Sequence, residues 1–421
     1  MRKSDKSDGG RKAWGAGQLW LRLPGLVGEA LYETVIGVGL ACVDEVLEAE
    51  RAELCGARYV HRSDRQALRA GHLASSLVLG GRRVAVSRPR VRSVEGGELK
   101  LPSWREWSAR DPLEARALEQ MVLGVSTRRY ARSLEPLPQT VQVRGVSKSA
   151  VSERFVYGTE RKLGELLSRD LHGLKLVALM IDGVHFGEHV VLATVGVDER
   201  GGKHVLGLRE GATENTTVVS GLLSDLVGRG LDFSIPRLYI LDGGKALSAA
   251  VRRHAGEAAF IQRCQVHKKR NVIGHLPEEH KADVKRKMQN AYAMVDYAEA
   301  KHALDRLHRE LMDVNPSAAR SLEEGLEETL TVHKLRVPEQ LRRTLSSTNV
   351  IESAFSIVET VCRNVKRWRD GDQIERWVGS GLVVAERQFR KVIGHRQIPL
   401  LLSSMANAVA KKPVAKKEAV A

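Results

Sequence analysis

Between Leu174 and Cys264 the chain alternates apolar runs and helix-like stretches in an order that few folds accept. Leu174 to Ile181 is a continuous apolar run ending in Asp182-Gly183, as expected of a buried central strand whose last residue leaves the sheet. A second strand is expected from His189 to Val197, a turn at Asp198-Glu199-Arg200-Gly201-Gly202, and a third strand from Lys203 to Leu208. Thr213 to Asn215 precede a helix running to about Val227. The strand Arg237 to Leu241 again ends in an acid, Asp242-Gly243-Gly244, and a helix from Lys245 to His254 leads to a fifth strand, Ala259 to Arg263. Three strands able to pair antiparallel, then helix, strand, helix and strand, place this segment in the α/β class.

The two aspartates give that order its chemical content. A lone strand-terminal Asp-Gly is usually a turn, but two in one sheet project carboxylates side by side while glycine lets substrate approach. A two-metal phosphoryl-transfer site needs such hard oxygen ligands, and more than two of them. Ser346-Ser347-Thr348-Asn349 reads as a helix cap, and it places Glu352 in the first turns of the helix that follows. Alone, Glu352 would be an ordinary surface acid.

The flanking sequence says what the partner is. With 67 Lys+Arg against 51 Asp+Glu the 421-residue chain carries a net charge of +16, which favours a phosphate polyanion. Its four cysteines, Cys42, Cys55, Cys264 and Cys362, contain no CxxC pair, so neither a disulfide framework nor a four-thiolate zinc site is written here. No run approaches the ~18 apolar residues of a membrane span. Leu31, Val35, Val38, Cys42, Val46 and Leu47 recur at helical spacing, predicting a packed amphipathic helix from Leu31 to Glu53. From Leu77 to Trp104 short strands with Gly-Gly turns carry Arg82, Arg83, Arg88, Arg90 and Arg92, a ribbon suited to phosphates or simply protected by charge. Asp111-Pro112 opens a helix that Gly124 closes, Ser126-Thr127 begins a short second helix over Arg128 to Arg132, and Gly145-Val146-Ser147 caps a third bearing Lys148, Ser149, Ser152 and Arg154. That sequence of elements suits a helix-turn-helix reader of the major groove or an ordinary helical linker.

Four ordered runs carry a resemblance: Asp182-Gly183-Val184-His185-Phe186, Asp242-Gly243-Gly244-Lys245-Ala246-Leu247, Arg263-Cys264-Gln265-Val266-His267-Lys268-Lys269-Arg270-Asn271 and Thr348-Asn349-Val350-Ile351-Glu352-Ser353. Together they resemble the mutator-type transposases of bacterial insertion sequences, and Gly124-Val125-Ser126-Thr127-Arg128-Arg129, Ser147 to Phe155 and Lys366 to Gly371 extend the resemblance over most of the chain. It implies a ribonuclease-H-like core, which the strand and helix order also suits, with Asp182, Asp242 and Glu352 as catalytic, metal-holding acids and Cys264 and His267 as structural support beside them. It implies two Mg²⁺ ions, with Mn²⁺ an acceptable substitute and zinc not expected. DNA backbone contacts are expected from Lys268, Lys269, Arg270, Arg363, Lys366, Arg367 and Arg369, and reading of the transposon ends from Lys148, Ser149, Ser152 and Arg154. Trp368 and Trp377 are expected to pack rather than to stack on a base.

The organisation expected is a tail over 1–16, a helix and β-ribbon region over 17–108, a helix-turn-helix-like region over 109–170, and the core in two parts, 171–270 and 344–408. A helical insertion over 271–343 separates those parts, and a second tail covers 409–421. The expected activity is Mg²⁺-dependent hydrolysis and strand transfer at terminal inverted repeats. The partners are transposon-end and target DNA and other copies of the chain in the synaptic complex, with no membrane. The location is cytoplasmic, at the nucleoid. A ribonuclease-H-like nuclease or resolvase, or a decayed transposase acting only as a regulator, are the alternatives.

Overall fold

A computed structural model describes residues 16–60, 65–109, 112–135, 137, 141–211 and 216–410, with side chains of residues 16–30 and 32 left undescribed. The two expected tails (1–16 and 409–421, apart from residues 16, 409 and 410), the cap at Asp111 and the Thr213 to Asn215 segment fall outside these residues. The chain forms two compact units, one comprising residues up to Met121 with Val125–Phe155, the other Val122–Gly124 with the chain from Val156 onward.

In the first unit a long helix, α1 (Ala16–Cys55), accompanies a hairpin of β1 (Ala67–Leu79) and β2 (Arg82–Ser93), to which β3 (Glu98–Leu99) and β4 (Val143–Arg144) add short pairings. Gly80-Gly81 turns the hairpin with both φ angles positive, and Leu79 pairs with Arg82, so this is a two-residue loop of the kind glycine permits. Of the face of α1 expected to pack only Leu47 is buried: Leu31, Val35, Val38, Cys42 and Val46 are exposed, whereas Ile36, Arg51 and Cys55 are buried beside Leu47. Apolar residues line more than one side of this helix, so spacing alone could not select the buried one. The ribbon arginines are also partly spent on the fold. Arg82 and Arg88 are buried, and Arg88 and Arg90 bond Glu98 at 2.7 and 3.0 Å.

Helices α2 (Pro102–Ala109), α3 (Pro112–Val122) and α4 (Lys148–Leu167) follow. The short helix expected at Arg128 to Arg132 is absent: residues 127–130 are turns, and only Ala131–Ser133 form a 3₁₀ turn. Tyr130 is buried and its hydroxyl donates to the Gly81 carbonyl at 2.9 Å, a tertiary anchor that overrides local helix preference. Ser147 does cap α4, accepting from the Ala150 N–H at 3.3 Å.

The second unit is built on a five-stranded sheet of order β7-β6-β5-β8-β9, where β5 is Leu176–Phe186, β6 His189–Asp198, β7 Lys203–Gly211, β8 Arg237–Leu241 and β9 Ala259–Arg263. β5 to β7 pair antiparallel, and β8 and β9 run parallel to β5. Helices α5 (Thr216–Gly228) and α6 (Lys245–Ala255) cover one face, where Leu179, Ile181, Tyr239 and Leu241 meet Leu222, Leu226, Leu247 and Val251. α7 (Gln265–Gly274) then opens a helical stretch of α8 (Glu278–Ala293), α9 (Tyr297–Val314), α10 (Pro316–Glu323), α11 (Leu326–Thr329), α12 (Thr331–Lys334) and α13 (Glu339–Leu345) around its own core of Met288, Leu304, Leu307 and Leu322. α14 (Asn349–Cys362) and α15 (Gly371–Gln388) return to the sheet, packing on β5 to β7, and α16 (Ile398–Ala410) ends the described chain. No described helix is long and apolar enough to cross a membrane.

α14 and α15 touch almost backbone to backbone. A Cβ on Gly381 would stand 2.9 Å from Val358 Cα, whereas one on Gly379 would meet only the tip of the Leu163 side chain, at 2.8 Å. Gly381→Ala is therefore expected to destabilise the protein by about 1–3 kcal/mol through overpacking, and Gly379→Ala by clearly less. Thermal unfolding of both variants checks the difference.

Candidate active site

Strand register sets the site. Ile181 pairs with Leu241, and Leu241 with Arg263, so the next residues, Asp182, Asp242 and Cys264, form a row across three neighbouring strands at the ends of β8 and β9. The Cys264 N–H closes the row by donating to the Leu241 carbonyl at 2.7 Å. Ile181, Leu241 and Ile261 face α5 and α6, so strand alternation turns both aspartates to the opposite face, the one α14 covers.

One expectation is corrected here. Asp182 is not the last residue of its strand: β5 continues to Phe186, and Asp182 lies opposite Ala193 of β6. What stops at this level is β8, so Asp182 is uncovered on one edge only. Gly183 accordingly sits in mid-strand and makes no turn. Gly243 does: its φ is 112°, and a Cβ there would collide with the Arg263 guanidinium, so the backbone after Asp242 requires glycine. Asp242 Oδ1 accepts the Gly244 N–H at 2.8 Å, and Asp182 Oδ1 the Gly183 N–H at 2.9 Å.

Glu352 arrives in the first turn of α14. The start of that helix is tied to the row of strand ends through sulfur: Cys264 Sγ, fully buried, accepts the Thr348 N–H at 3.4 Å. The Thr348 hydroxyl lies 3.5 Å from the same sulfur and 3.0 Å from Glu352 Oε1. His267 Nε2, one turn into α7, is 3.2 Å from Glu352 Oε1, and Arg270 Nη1 is 4.0 Å from Oε2. Ligand-capable atoms of Asp182, Asp242 and His267 lie within 4.8 Å of one another, and so do those of Cys264, His267 and Glu352. The imidazole is common to both groups. Burial and then the charge of Asp242 push the Asp182 carboxyl up to about 7, with Glu352 adding to the effect. A cluster of carboxylate oxygens that repel one another is the donor set a hard divalent cation stabilises. Neither the centrality of His267 nor the bridging role of Thr348 followed from the sequence, although both lie within the quoted runs.

The expected DNA-contacting residues separate into open and engaged groups. Lys148 and Ser149 are exposed and Ser152 half-buried, but the Arg154 guanidinium donates back to the Gly145 carbonyl just before its own helix. Arg270, Arg363, Lys366, Arg367 and Arg369 are exposed; Arg363 also donates to the Leu123 carbonyl at 3.4 Å. Trp368 packs edge-on against Phe186 with ring centroids 5.3 Å apart, holding this basic segment at the end of β5, and Trp377 is buried. Lys269 is half-buried, its pKa lowered by burial and by Lys285. Lys268 is a correction. It is 1% exposed and donates to the carbonyls of Ser321 and Glu324 at the end of α10, and burial followed by Arg263 lowers its pKa to about 8. A side chain so placed serves the fold and cannot reach a phosphate. Lys268→Ala is expected to cost about 1–3 kcal/mol of stability by removing the buried donor to the Ser321 carbonyl and leaving the Glu324 carbonyl to Arg263 Nη1 alone. Chemical denaturation of the variant checks this.

The chain resembles known proteins over nearly its whole length. Residues 32–391 match the model of the family described as "Transposase, Mutator family". Similar proteins include the transposase for insertion sequence element ISRM5 of Rhizobium meliloti, 30% identical over 74% of this chain and 77% of that one. The transposase for IS1081 of Mycobacterium tuberculosis is 28% identical over 86% of each chain. The transposase for IS256 in transposon Tn4001 of Staphylococcus aureus is 26% identical over 81% of this chain and 87% of its own. A family match of this extent, joined to relatives aligned over most of their length, shows that the chain belongs to the Mutator family of transposases.

Proposed function

We propose that the protein binds the terminal inverted repeats of its insertion sequence and cleaves and joins DNA strands at a site where Asp182, Asp242 and Glu352 hold two divalent cations, Mg²⁺ or Mn²⁺. The observation that carries this is the row of Asp182 and Asp242 on one sheet face with Glu352 delivered above it by α14. The sheet order, with β5 central, antiparallel to β6 and parallel to β8, supports a ribonuclease-H-like core interrupted by the α8 to α13 helices.

Bound among these acids, two such cations would stabilise the attacking and leaving oxygens of an in-line phosphoryl transfer. In the first step water attacks the phosphodiester at a transposon end and frees a 3′-hydroxyl. In the second that hydroxyl attacks another strand, displacing a new 3′-oxygen, with no covalent protein intermediate. The acids act as holders, not nucleophiles. His267 and Thr348 fix the Glu352 carboxylate from two sides, and Cys264 fixes Thr348, so these three position the acid. Engagement of the sulfur with Thr348 favours this supporting role over a zinc site. Arg270, exposed beside Glu352, is placed to meet a phosphate oxygen. End recognition is assigned to the 109–170 region, with Lys148, Ser149 and Ser152 presenting polar groups from α4, and the exposed Lys366, Arg367 and Arg369 to the DNA backbone. Action as a homo-oligomer in the cytoplasm, at the nucleoid, completes the reading.

With DNA carrying the element's inverted repeats and Mg²⁺, Asp182→Asn, Asp242→Asn and Glu352→Gln are each expected to reduce cleavage and joining to background while retaining DNA affinity, since the amide keeps shape and loses the cation-holding charge. Full activity of Glu352→Gln would remove it from the site, and cleavage without joining by the parent would favour the nuclease. Thr348→Val is expected to lower the cleavage rate roughly 10–100-fold, as loss of a ligand-orienting group does. Lys148→Ala should weaken the cognate end by about 1–3 kcal/mol if it reads a base, or all DNA alike, with a shallower salt dependence, if it meets phosphate. Competition binding at two salt concentrations separates these.

A further inference from the structure

We propose that a pocket on the flank of α14 takes one unpaired nucleotide of the DNA strand adjoining the scissile phosphate; this rests on the transposase reading above. Asn349, Val350, Ser353 and Ile357 lie roughly 60° to 160° round the helix from Glu352, at ~100° per residue, on the side away from the buried Ile351, Phe355 and Val358. They form one wall of a pocket of about 470 Å³, whose other walls come from Lys203 of β7, Arg343 of α13 and the segment Phe389 to Ile393 after α15. The helix that delivers the Glu352 carboxylate thus also lines a second concavity on its flank.

The lining has a definite chemistry. It contains no carboxylate and four cations, Lys203, Arg343, Arg390 and Lys391. Arg343 is shared with Glu339 at 2.6 Å, but Arg390 and Lys391 are exposed. The same segment supplies apolar groups: Phe389, whose ring has the Lys203 ammonium 5.1 Å from its centroid, and Ile393, which is 69% exposed. The outer wall is built, not loose. The Val392 N–H donates to the Gly201 carbonyl at 2.9 Å, Val392 is buried, and a Cβ on Gly394 would strike the backbone of Leu341.

A free phosphate or a duplex backbone would engage the cations and leave the aromatic and aliphatic surface unused. An apolar peptide would leave the cations unpaired. A nucleotide uses both, its base on Phe389 and Ile393 and its phosphate on Arg390 and Lys391, with Asn349 and Ser353 within the same wall to bond a base edge. The volume falls in the range of small-ligand pockets. A base can enter only when unstacked from the duplex, so the pocket should distinguish single-stranded from fully paired DNA.

The test is fluorescence anisotropy of the full-length chain, without metal, on labelled oligothymidylate and on a blunt duplex of the same length. Phe389→Ala is expected to weaken single-strand binding about tenfold, the loss of one stacked base, with duplex affinity unchanged and with Phe389→Trp restoring the parent value. Equal loss on both DNA forms, or no loss on either, overturns the proposal. Should Phe389→Ala melt early, the same comparison with Ile393→Ser, at an exposed side chain, decides by the same two criteria. Because no metal is present, failure here is separate from failure of the parent to cleave its ends in Mg²⁺, which would sink the transposase mechanism instead.

Discussion

The second unit depends on a single register: Ile181 beside Leu241 beside Arg263. Once it is set, alternation along each strand leaves Asp182, Asp242 and Cys264 in one row on one face. The cost of that arrangement is electrostatic. Burial, and then repulsion from Asp242, pushes the Asp182 carboxyl up to about 7.

The third member of the row gives the arrangement its second dimension. Cys264 is a small, buried acceptor that reaches the N–H of Thr348 at the start of α14, and so ties a helix 84 residues away to the strand ends. The position of Glu352 follows from that tie, because the acid sits only one turn further on. A long helical stretch can be inserted between β9 and α14 without moving the acid, provided both its ends remain anchored. Gln265 N–H to the Ser346 carbonyl, at 2.9 Å, is the second such anchor.

The positive charge is distributed by the same packing. Of the basic residues that sequence alone would send to DNA, Lys268 is consumed by the end of α10, Arg154 by Gly145, and Arg88 and Arg90 by Glu98. Arg270, Lys366, Arg367 and Arg369 remain at the surface near the acids or the end of β5. Net charge therefore overstates how many cations are available to phosphate, since a lysine and an arginine look alike in sequence whether they meet a carbonyl or water.

Strand and helix order in the second unit was legible because apolar runs of this kind have few alternatives: β8 and β9 span the residues expected, Arg237 to Leu241 and Ala259 to Arg263, and the stretch expected as a helical insertion is helical over α8 to α13. Asp242 and Glu352 were legible because one follows such a strand and the other opens a helix, and Asp182 because an apolar run leads up to it, although its strand continues beyond. What local pattern could not decide was anything that depended on a distant partner. β5 runs past Asp182 because β6 continues to pair with it, Tyr130 leaves its helix for the Gly81 carbonyl, and α1 buries Ile36 and, of its expected apolar stripe, Leu47 alone. The sequence by itself picked out Asp182 on a buried strand, Asp242 just after one and Glu352 at a helix start, since hydrophobic periodicity is a local property. Only the tertiary structure decided that they share a face, that His267 and Thr348 stand between them, and which cations stay free, because those depend on register and packing between residues far apart in the chain.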